Sequence, residues 1–530
     1  MSEHQNTCAQ RYDKLASDKR EVFLERAREC AKLTIPTLFP ETGHTKSTSF
    51  KTPYQGIGAR GVNNLASKLL LSLFPPNSPF FAMRVDDFTA QELAQEEGAR
   101  AKVDEALNKY ERAVMQEIEN TGDRAGHFEA LKHLIVGGNV LLQVPKDGKT
   151  RVHSLENYVV VRDPQGTVLE IIIKEELSYG SLPEDIQEMI REQIKENGQI
   201  DLSKEVAIYT KVILEGKQYT SYQEVMGQRV KGSEGKWPKD KSPFIALRWT
   251  TIDGEDYGRG YVEEYFGDLK AIEGLSKAIL EGSAAAARVL FLVNPNGTTR
   301  AKDITQAPNG AAVAGRDADV TTLQVQKQAD MQVAMNTMST ITERLAYAFL
   351  MNSAIQRQGE RVTAEEVRYM AGELEDALGG VYSILSQEYQ LPYVQRVIAR
   401  MTTAKKLPKL PEGVTQPVIT TGLEALGRGH DLNKYDMFLK ALMPLGPEVL
   451  SQYMNVGDYI TRIGTSLGID LDGLVKDAEQ LAAEQEAAQQ QQMQQQMMEM
   501  ESLPLVLSPR KAHRRCEKRH RQEASKWSKA

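Results

Sequence analysis

The stretch YQGIGARGVNNLASKLLLSLFPP, residues 54–76, places Gly56, Gly58 and Gly61 in the order G-x-G-x-x-G. That order marks a dinucleotide-binding turn only where it joins a strand to a helix, because the pyrophosphate binds at the helix N-terminus. The strand is missing here: the preceding KSTSFKTPYQ has no apolar run, and Pro53 is unfavourable in a central strand. The helix is present, since apolar residues recur at helical spacing at Val62, Leu65, Ala66, Leu69, Leu70 and Leu73. The stretch therefore predicts a glycine-rich turn packed tightly against a buried helix.

The rest of the chain shows no recognisable catalytic or metal-binding motif. Gly148-Lys149-Thr150 is similar to the end of a phosphate-binding loop, but Gln143 occupies the position of its first glycine, so we interpret the stretch as a hairpin turn. Asp431 stands at a helix start, where an N-cap is the better explanation. The eight histidines are scattered, and the three cysteines form no C-x-x-C pair. We expect no enzymatic activity, no cofactor and no metal.

The composition predicts a large globular protein outside the membrane. A chain of 530 residues with 41% hydrophobic residues is long enough for about two to four domains and a sizeable core. It has no run of about eighteen apolar residues that would span a membrane. The polar start, MSEHQNTCAQRYDK, predicts no signal peptide, which fits synthesis and assembly in a reducing cytoplasm.

Charge is distributed unevenly along the chain. The net charge is −7, but the end from Arg510 holds nine Lys and Arg residues against Glu517 and Glu523. Without these residues the remaining 56 basic and 70 acidic residues carry a net charge of −14. An acidic body with a basic end predicts contact with a polyanion only at selected places.

The first 257 residues predict helices followed by antiparallel strands. Turn residues at Asp147-Gly148 and at 164–166 separate strand-like runs and indicate two β-hairpins. Further strands are expected after 205 and around 244. A helix is expected over 10–33, with these residues facing inward: Tyr12, Leu15, Val22, Phe23, Ala27 and Cys30.

The second half of the chain predicts long helices. Helical patterns over 258–287 and 328–353 flank a short strand module with a turn at 294–297, which would make a protruding hairpin with a small head. A capping box opens a third long helix at Thr363, with Gly379-Gly380 and Pro392 as expected kinks. The Gln- and Met-rich tract before 500 allows two interpretations, a solvated helical tail or a helix bundle between subunits.

Four stretches resemble one family. They are YQGIGARGVNNLASKLLLSLFPP, DGEDYGRGYVEEYFGDLKAIEGL, NSAIQRQGERVTAEEVRYMAGELEDALGGVYSILSQEYQLP and ITTGLEALGRG. In this order, from about residue 10 to about residue 475, the chain resembles the head-to-tail connectors, or portal proteins, of T7-like short-tailed bacteriophages. In that family the glycine motif opens a structural helix and binds no cofactor, which agrees with the missing strand.

The resemblance implies an α+β, mainly helical subunit of the portal type, assembled as a dodecameric ring around a channel. Its implied parts are a wing at 1–257, stem helices at 258–287 and 328–353, a clip at 288–327, a tunnel loop at 354–362, a long kinked helix returning to the wing at 363–430, a helical crown at 431–500 and a disordered basic tail at 501–530.

The resemblance also implies a role and a set of partners. The ring would sit at the unique portal vertex of the virion after assembly in the host cytoplasm, with no membrane contact. It would nucleate procapsid assembly with scaffold protein and major capsid protein, dock the packaging ATPase (terminase), pass double-stranded DNA in and out, and attach tail adaptor proteins. The alternative is a capsid scaffold or another structural assembly protein without a channel, but the strand-rich stretch at 139–250 is unlike a helix-only scaffold.

A channel must hold DNA without gripping it, since each lasting contact with a phosphate strengthens binding. Ring symmetry turns one cation per subunit into a circle of charge. The candidates for contact with DNA are Arg357, Arg361, Gln356 and Gln358 in the tunnel loop, with Lys327 and Arg344 on the stem. The other interpretation is that each cation pairs with a neighbouring Glu on a helix surface.

The end of the chain departs from the family, whose ends tend to be rich in small residues or Gln. Its candidates for contact with DNA are Arg510, Lys511, Arg514, Arg515, Lys518, Arg519 and Arg521. Three interpretations stay open: a DNA-binding tail, a disordered tail without a role, or a shifted reading frame.

Overall fold

The protein combines helices with antiparallel sheets, as the sequence predicts. The computed structural model describes residues 7–45, 47–76, 79–85, 99–197, 205–286, 290–323, 328–351, 380–410, 415–419 and 437–445, with single positions at 372–378 and 457–494. Chain contacts divide the protein into two units, Met1–Asp431 and Leu432–Ala530. The second unit contributes a short helix over 437–442 that ends in a 3-10 turn at Met443–Leu445. All elements below belong to the first unit.

The chain begins with one long helix that contains a π-turn. Helix α1 (Cys8–Leu15) starts at a capping box formed by Thr7, and α2 (Glu21–Lys32) continues from it through the π-turn Ala16–Arg20. A π-turn inserts one residue and rotates everything after it by about a quarter turn. The predicted inward position of Val22 is therefore wrong: its side chain is 73% exposed. The predicted inward residues Tyr12, Leu15, Ala27 and Cys30 are buried, as is Leu24, and Phe23 is half-buried.

The core of the first unit is built around two buried helices. Helix α3 (Ile57–Leu73) buries the apolar face that its spacing predicts, and it packs against α5 (Arg124–Gly137). Helix α4 (Ala99–Thr121) precedes α5 and ends at Gly122, whose φ is +66°. Strand β1 (Phe81–Val85) follows α3 and pairs with an antiparallel partner far along the chain, so α3 lies in no βαβ unit.

Two antiparallel sheets complete this body, one packed against α5 and the other against α1, and both predicted hairpins are confirmed. The smaller sheet has the order β10-β2-β3 and the larger one the order β4-β5-β6-β7-β8, with β9 paired to β7. The hairpin turns contain Gly148 and Gly166, with φ values of +87° and +86°. The strands are β2 (Asn139–Gln143), β3 (Arg151–His153), β4 (Tyr158–Arg162), β5 (Val168–Ser178), β6 (Glu205–Glu215), β7 (Gln218–Val225), β8 (Gln228–Arg229), β9 (Gly235–Pro238) and β10 (Phe244–Arg248). Helix α6 (Glu184–Asn197) connects β5 to β6.

Strand β4 forms one edge of the larger sheet, and the chain itself occupies two of its outward amides. The amide of Val160 donates to the Tyr257 hydroxyl at 3.0 Å. The amide of Arg162 donates to Asp256 Oδ1 at 2.6 Å. Two outward donors of this edge, those of Val160 and Arg162, are therefore satisfied within the subunit.

Two long helices leave this body and carry a small β module. After the short helix α7 (Tyr261–Glu264), α8 (Phe266–Ala286) and α10 (Gln328–Ala348) lie against each other in opposite directions. Between them come β11 (Leu290–Val293), α9 (Ala301–Gln306) and β12 (Val320–Leu323), and β11 pairs antiparallel with β12. The predicted turn at 294–297 lies here, with the Gly297 amide donating to the Asn294 carbonyl at 3.0 Å.

The last helical segment of this unit returns to the core. Helix α11 (Gly380–Leu385) passes through a π-turn, Ser386–Gln390, into α12 (Leu391–Thr403), which has Pro392 in its first turn. The irregularity predicted at Pro392 thus takes the form of a π-turn just before it. Strand β13 (Thr415–Ile419) then pairs with β1. The predicted capping box at Thr363 and the residue Gly379 lie outside the described residues.

Candidate DNA-channel hairpin and its anchorage

The hairpin of α8 and α10 is buried only at its base. Leu269 and Ile272 of α8 pack there with Ile341 and Leu345 of α10. Beyond them, no described side chain of either helix is buried. The four most exposed large apolar side chains are Leu280 (58%), Val333 (66%), Met335 (50%) and Tyr347 (78%). A single subunit therefore leaves much apolar surface of the hairpin uncovered.

Arg344 forms an ion pair across the hairpin. Its Nη2 lies 2.7 Å from Asp268 Oδ1 on α8, and the two side chains are 59% and 30% exposed. The cation is thus paired with an Asp of the facing helix, where the sequence suggested a Glu. Along α8 and α10 acidic residues outnumber basic ones by five to three.

The remaining predicted DNA contacts have no described position. They are Lys327, Gln356, Arg357, Gln358, Arg361 and the seven basic residues of the tail, Arg510, Lys511, Arg514, Arg515, Lys518, Arg519 and Arg521, all outside the described residues. The tunnel loop 354–362 and the crown 431–500 also lie outside them, apart from a few described positions in the crown.

Aromatic side chains fix the base of the hairpin. The Tyr261 ring lies 5.9 Å from Phe349 and 5.7 Å from Trp249, measured between centroids. The Tyr261 hydroxyl donates to the Ala348 carbonyl at 2.9 Å. Burial raises the pKa of this hydroxyl well above its usual range, so Tyr261 stays a neutral donor.

The glycine motif packs tightly against this base, as predicted, and has no described strand before it. The predicted turn is wrong for Gly58 and Gly61, which lie inside α3, whereas Gly56 is its N-cap. A Cβ on Gly61 would lie 2.6 Å from Phe349 Cγ, and one on Gly58 would collide with the Leu33 carbonyl oxygen. The Gln55 side chain accepts from the Gly58 amide at 2.9 Å and donates to the Leu33 carbonyl at 2.7 Å. The glycines therefore allow close approach between helices.

Two polar side chains that the sequence did not single out connect the motif to both long helices. Glu273 of α8 accepts from the amides of Tyr54 and Gln55 at 3.0 and 3.2 Å. Asn64 of α3 donates to the carbonyls of Phe349 and Leu350 at 2.9 and 3.1 Å. The only hint in the sequence is an Asn and a Glu placed on otherwise regular helical patterns.

The turn with Gly148-Lys149-Thr150 is confirmed as a hairpin turn and takes part in a buried polar cluster. Asp123 accepts from the amide and the hydroxyl of Thr150, both at 2.8 Å, and from the Tyr393 hydroxyl at 2.8 Å. His127 bonds to the Tyr389 hydroxyl at 2.7 Å, and burial lowers the pKa of His127 to about 4. Asp123 thus joins the start of α5, a hairpin tip and α12, which is a structural role.

The module at the far end of the hairpin is organised by Asp319. Its Oδ2 accepts from the amides of Thr298 and Thr299 at 2.9 and 3.2 Å, and from their hydroxyls at 3.1 and 3.2 Å. Next to this ordered turn, Phe291 and Leu292 of β11 are each 53% exposed. The module therefore presents apolar side chains from a well-defined turn.

A cavity of about 270 Å³ lies between α2 and residues 258–263. Both of its cations are already paired, with Glu263 Oε1 at 3.3 Å from Arg26 and 3.4 Å from Arg259. Within the described part of the chain no group of three metal-ligating side chains occurs. The same residues include no helix long and apolar enough to cross a membrane.

Comparison with known proteins agrees with this architecture. The family model described as "Bacteriophage head to tail connecting protein" matches residues 5–475. The portal protein of Escherichia phage T7 is 43% identical over 476 residues, covering 88% of both chains. That of Enterobacteria phage T3 is 44% identical over 478 residues, covering 89% of this chain and 88% of its own.

More distant relatives were also found. The portal protein of Enterobacteria phage SP6 is 31% identical over 467 residues, covering 87% of this chain and 89% of its own. Among solved structures, the neck of an empty gene transfer agent particle matches 72% of this chain and 86% of its own, with 12% identity and a TM-score of 0.34. The family match and the three phage relatives span nearly the whole described first unit, and the chain therefore belongs to the bacteriophage head-to-tail connecting proteins, the portal proteins.

Proposed function

We propose that this portal protein works as a closed dodecameric ring at the portal vertex of the virion, with the hairpin of α8 and α10 as the stem around a DNA channel. The observation that carries the proposal is the exposed apolar surface of this hairpin. Leu280, Val333 and Tyr347 would each be costly to leave in water, and a neighbouring copy would cover them. In this arrangement residues 1–257 form the wing and 431–500 the crown.

Charge on the hairpin supports passage of DNA rather than tight binding. Acidic side chains prevail on α8 and α10, and Arg344 is held by Asp268. A ring would repeat this pair around the channel, so that DNA phosphates meet partly neutralised cations. Gln356, Arg357, Gln358 and Arg361 would supply a second circle from the tunnel loop, and Lys327 would lie at the clip end of the stem.

The module 288–327 is our candidate for docking other proteins. A two-stranded sheet is marginally stable by itself, and this one leaves Phe291 and Leu292 exposed. We assign it to the packaging ATPase during filling and to tail adaptor proteins afterwards. The wing would contact major capsid protein and scaffold protein. Replacing 289–325 by a short Gly/Ser linker should leave the wing folded and abolish ATPase docking, whereas unchanged packaging would contradict the assignment.

Electron microscopy and light scattering of the purified protein test the ring. The expected result is annular particles with a central hole and no ATP hydrolysis. Val333→Asp should shift the protein to monomers, because it buries a charge between copies. Its neighbour Gln332 is exposed and polar, so Gln332→Asp should leave the ring intact. A monomeric wild-type protein, or ATP hydrolysis by a pure preparation, would overturn the proposal.

A further inference from the structure

The C-terminal end of α10 contains a residue in an unusual backbone conformation. Leu350 has a φ of +53°, in the left-handed region that residues with a Cβ seldom adopt. The Met351 amide donates to the Ala346 carbonyl at 2.8 Å, and the Leu350 amide donates to Tyr347 at 3.0 Å. This is the pattern of a Schellman motif, whose left-handed position glycine usually fills. Helix α10 therefore ends on a strained residue.

Side chains from two other helices hold this end. The three successive carbonyls of Ala348, Phe349 and Leu350 would otherwise lack partners at a helix terminus. The Tyr261 hydroxyl donates to the first at 2.9 Å, and Asn64 Nδ2 donates to the second and third at 2.9 and 3.1 Å. Leu350 itself is only 8% exposed. The conformation is thus determined by contacts from outside α10.

Helix α12 provides a comparison within the same chain. It too ends with a non-glycine residue in the left-handed region, Lys405, with a φ of +58°. The Lys406 amide donates to the Met401 carbonyl at 2.9 Å, so the backbone pattern is the same. Lys405 is exposed, however, and the carbonyls of 403–405 accept no side-chain hydrogen bond from the described residues. What distinguishes Leu350 is the set of hydrogen bonds that Asn64 and Tyr261 donate to the carbonyls of 348–350, which we call the clamp.

We propose that the end of α10 is a two-state element and that Asn64 selects the state in which the helix stops at Ala348. In the other state Leu350 takes an ordinary helical φ and α10 continues. A residue keeps a strained backbone conformation only where contacts from the surrounding structure hold it there, and such residues are often found at switch regions. The clamp determines the residue at which the chain leaves the stem. Any effect of this on the channel rests on the proposed function, whereas the position at which α10 ends does not depend on that function.

Cryo-electron microscopy of the purified protein tests the clamp. In Asn64→Ala, α10 should continue past Leu350 with the wing unchanged. Asn63 is the matched control, because it is the exposed neighbour on the same helix, and Asn63→Ala should leave α10 ending at Ala348. If Leu350 stays left-handed in Asn64→Ala, the clamp does not select the state and the proposal is wrong.

A second pair of variants tests the strain if Asn64→Ala does not fold. Leu350→Gly and Leu350→Ala lose nearly the same packing but differ in their tolerance of a positive φ. Cryo-electron microscopy should show α10 ending at Ala348 in the Gly variant, with the Met351 amide bonded to the Ala346 carbonyl, and continuing past position 350 in the Ala variant. The same helix end in both variants would overturn the two-state model. Neither readout depends on DNA, so a failure here is distinguishable from a failure of the channel assignment.

Discussion

Gly58 and Gly61 lie where no side chain fits. A Cβ at either position would meet the Leu33 carbonyl or the Phe349 ring. We expect Gly58→Ala and Gly61→Ala each to lower the free energy of unfolding by about 2–3 kcal/mol, through overpacking. Gly56 has no atom within 4 Å of its would-be Cβ. Gly56→Ala should therefore cost at most about 1 kcal/mol, from the helix cap alone. Denaturant unfolding followed by circular dichroism measures this, and equal losses at all three glycines would contradict it.

Buried histidines should make the protein less stable in acid. Burial lowers the pKa of His133 from 6.5 to about 4. Between these pH values His133 is protonated in the unfolded chain and neutral in the folded protein. The free energy of unfolding therefore falls as the pH drops from about 6.5 towards 4. One such histidine costs about 2 kcal/mol at pH 5 relative to pH 7. His133→Leu should shrink the shift in melting temperature between these pH values, whereas substituting the exposed His44 should not change it. If the melting temperature of His133→Leu changed between these pH values as much as that of the wild type, His133 would not be the cause of the acid sensitivity.

The sequence could predict that Gly58 and Gly61 allow close packing, but not which residues form the contacts around them. Local spacing shows a helix without a preceding strand, which is enough to reject a nucleotide site and to expect close packing. Asn64 and Glu273 have partners 285 and 219 positions away in the chain. No local pattern encodes such contacts, because they arise only when α3, α8 and α10 pack together.

Among the elements, the module between α8 and α10 depends on one carboxylate. Asp319→Ala removes the acceptor of four hydrogen bonds from Thr298 and Thr299. We expect trypsin to cut at Arg300 and Arg316 at least about tenfold faster in this variant, since Thr298 and Thr299 lose their common acceptor and the turn is no longer held together. Asp317 is a nearby exposed control. The melting temperature of the whole protein should stay the same, and unchanged cleavage would show that Asp319 does not hold the module together.

Elements are predicted best where the signal is local. The hairpins at Gly148 and Gly166 follow from turn residues between alternating runs, and the pairings are as expected. The first helix is predicted correctly, but the inward position of Val22 is not. The π-turn before it puts Arg20 beside the Tyr12 hydroxyl at 2.6 Å and the Glu156 carbonyl at 2.8 Å. That interaction with a distant loop decides the register, and the residues 16–20 alone do not reveal it.

For the whole molecule, the basic end should contribute to DNA binding if it belongs to the virion protein. Nine Lys and Arg residues within 510–530, with one aromatic residue, suit binding to phosphates with little means of reading bases. Deleting 510–530 should reduce the dependence of DNA affinity on salt, by a slope of about 0.9 for each phosphate that the tail neutralises. A variant with these nine cations changed to Gln should behave like the deletion. An unchanged slope would exclude the tail as a DNA-binding segment, and mass spectrometry of the virion protein would test the reading frame.

The occupied edge of β4 also limits how copies of this chain can join. Amyloid-like and domain-swapped polymers grow when a free strand edge accepts a strand from another molecule. At this edge the amides of Val160 and Arg162 already donate to Tyr257 and Asp256, so an incoming strand finds fewer free donors there. Strand addition at this edge is therefore less favourable than at an edge with all its amides free. At this edge, association through side-chain surfaces is favoured over strand addition, and such surfaces can form a closed ring that stops growing.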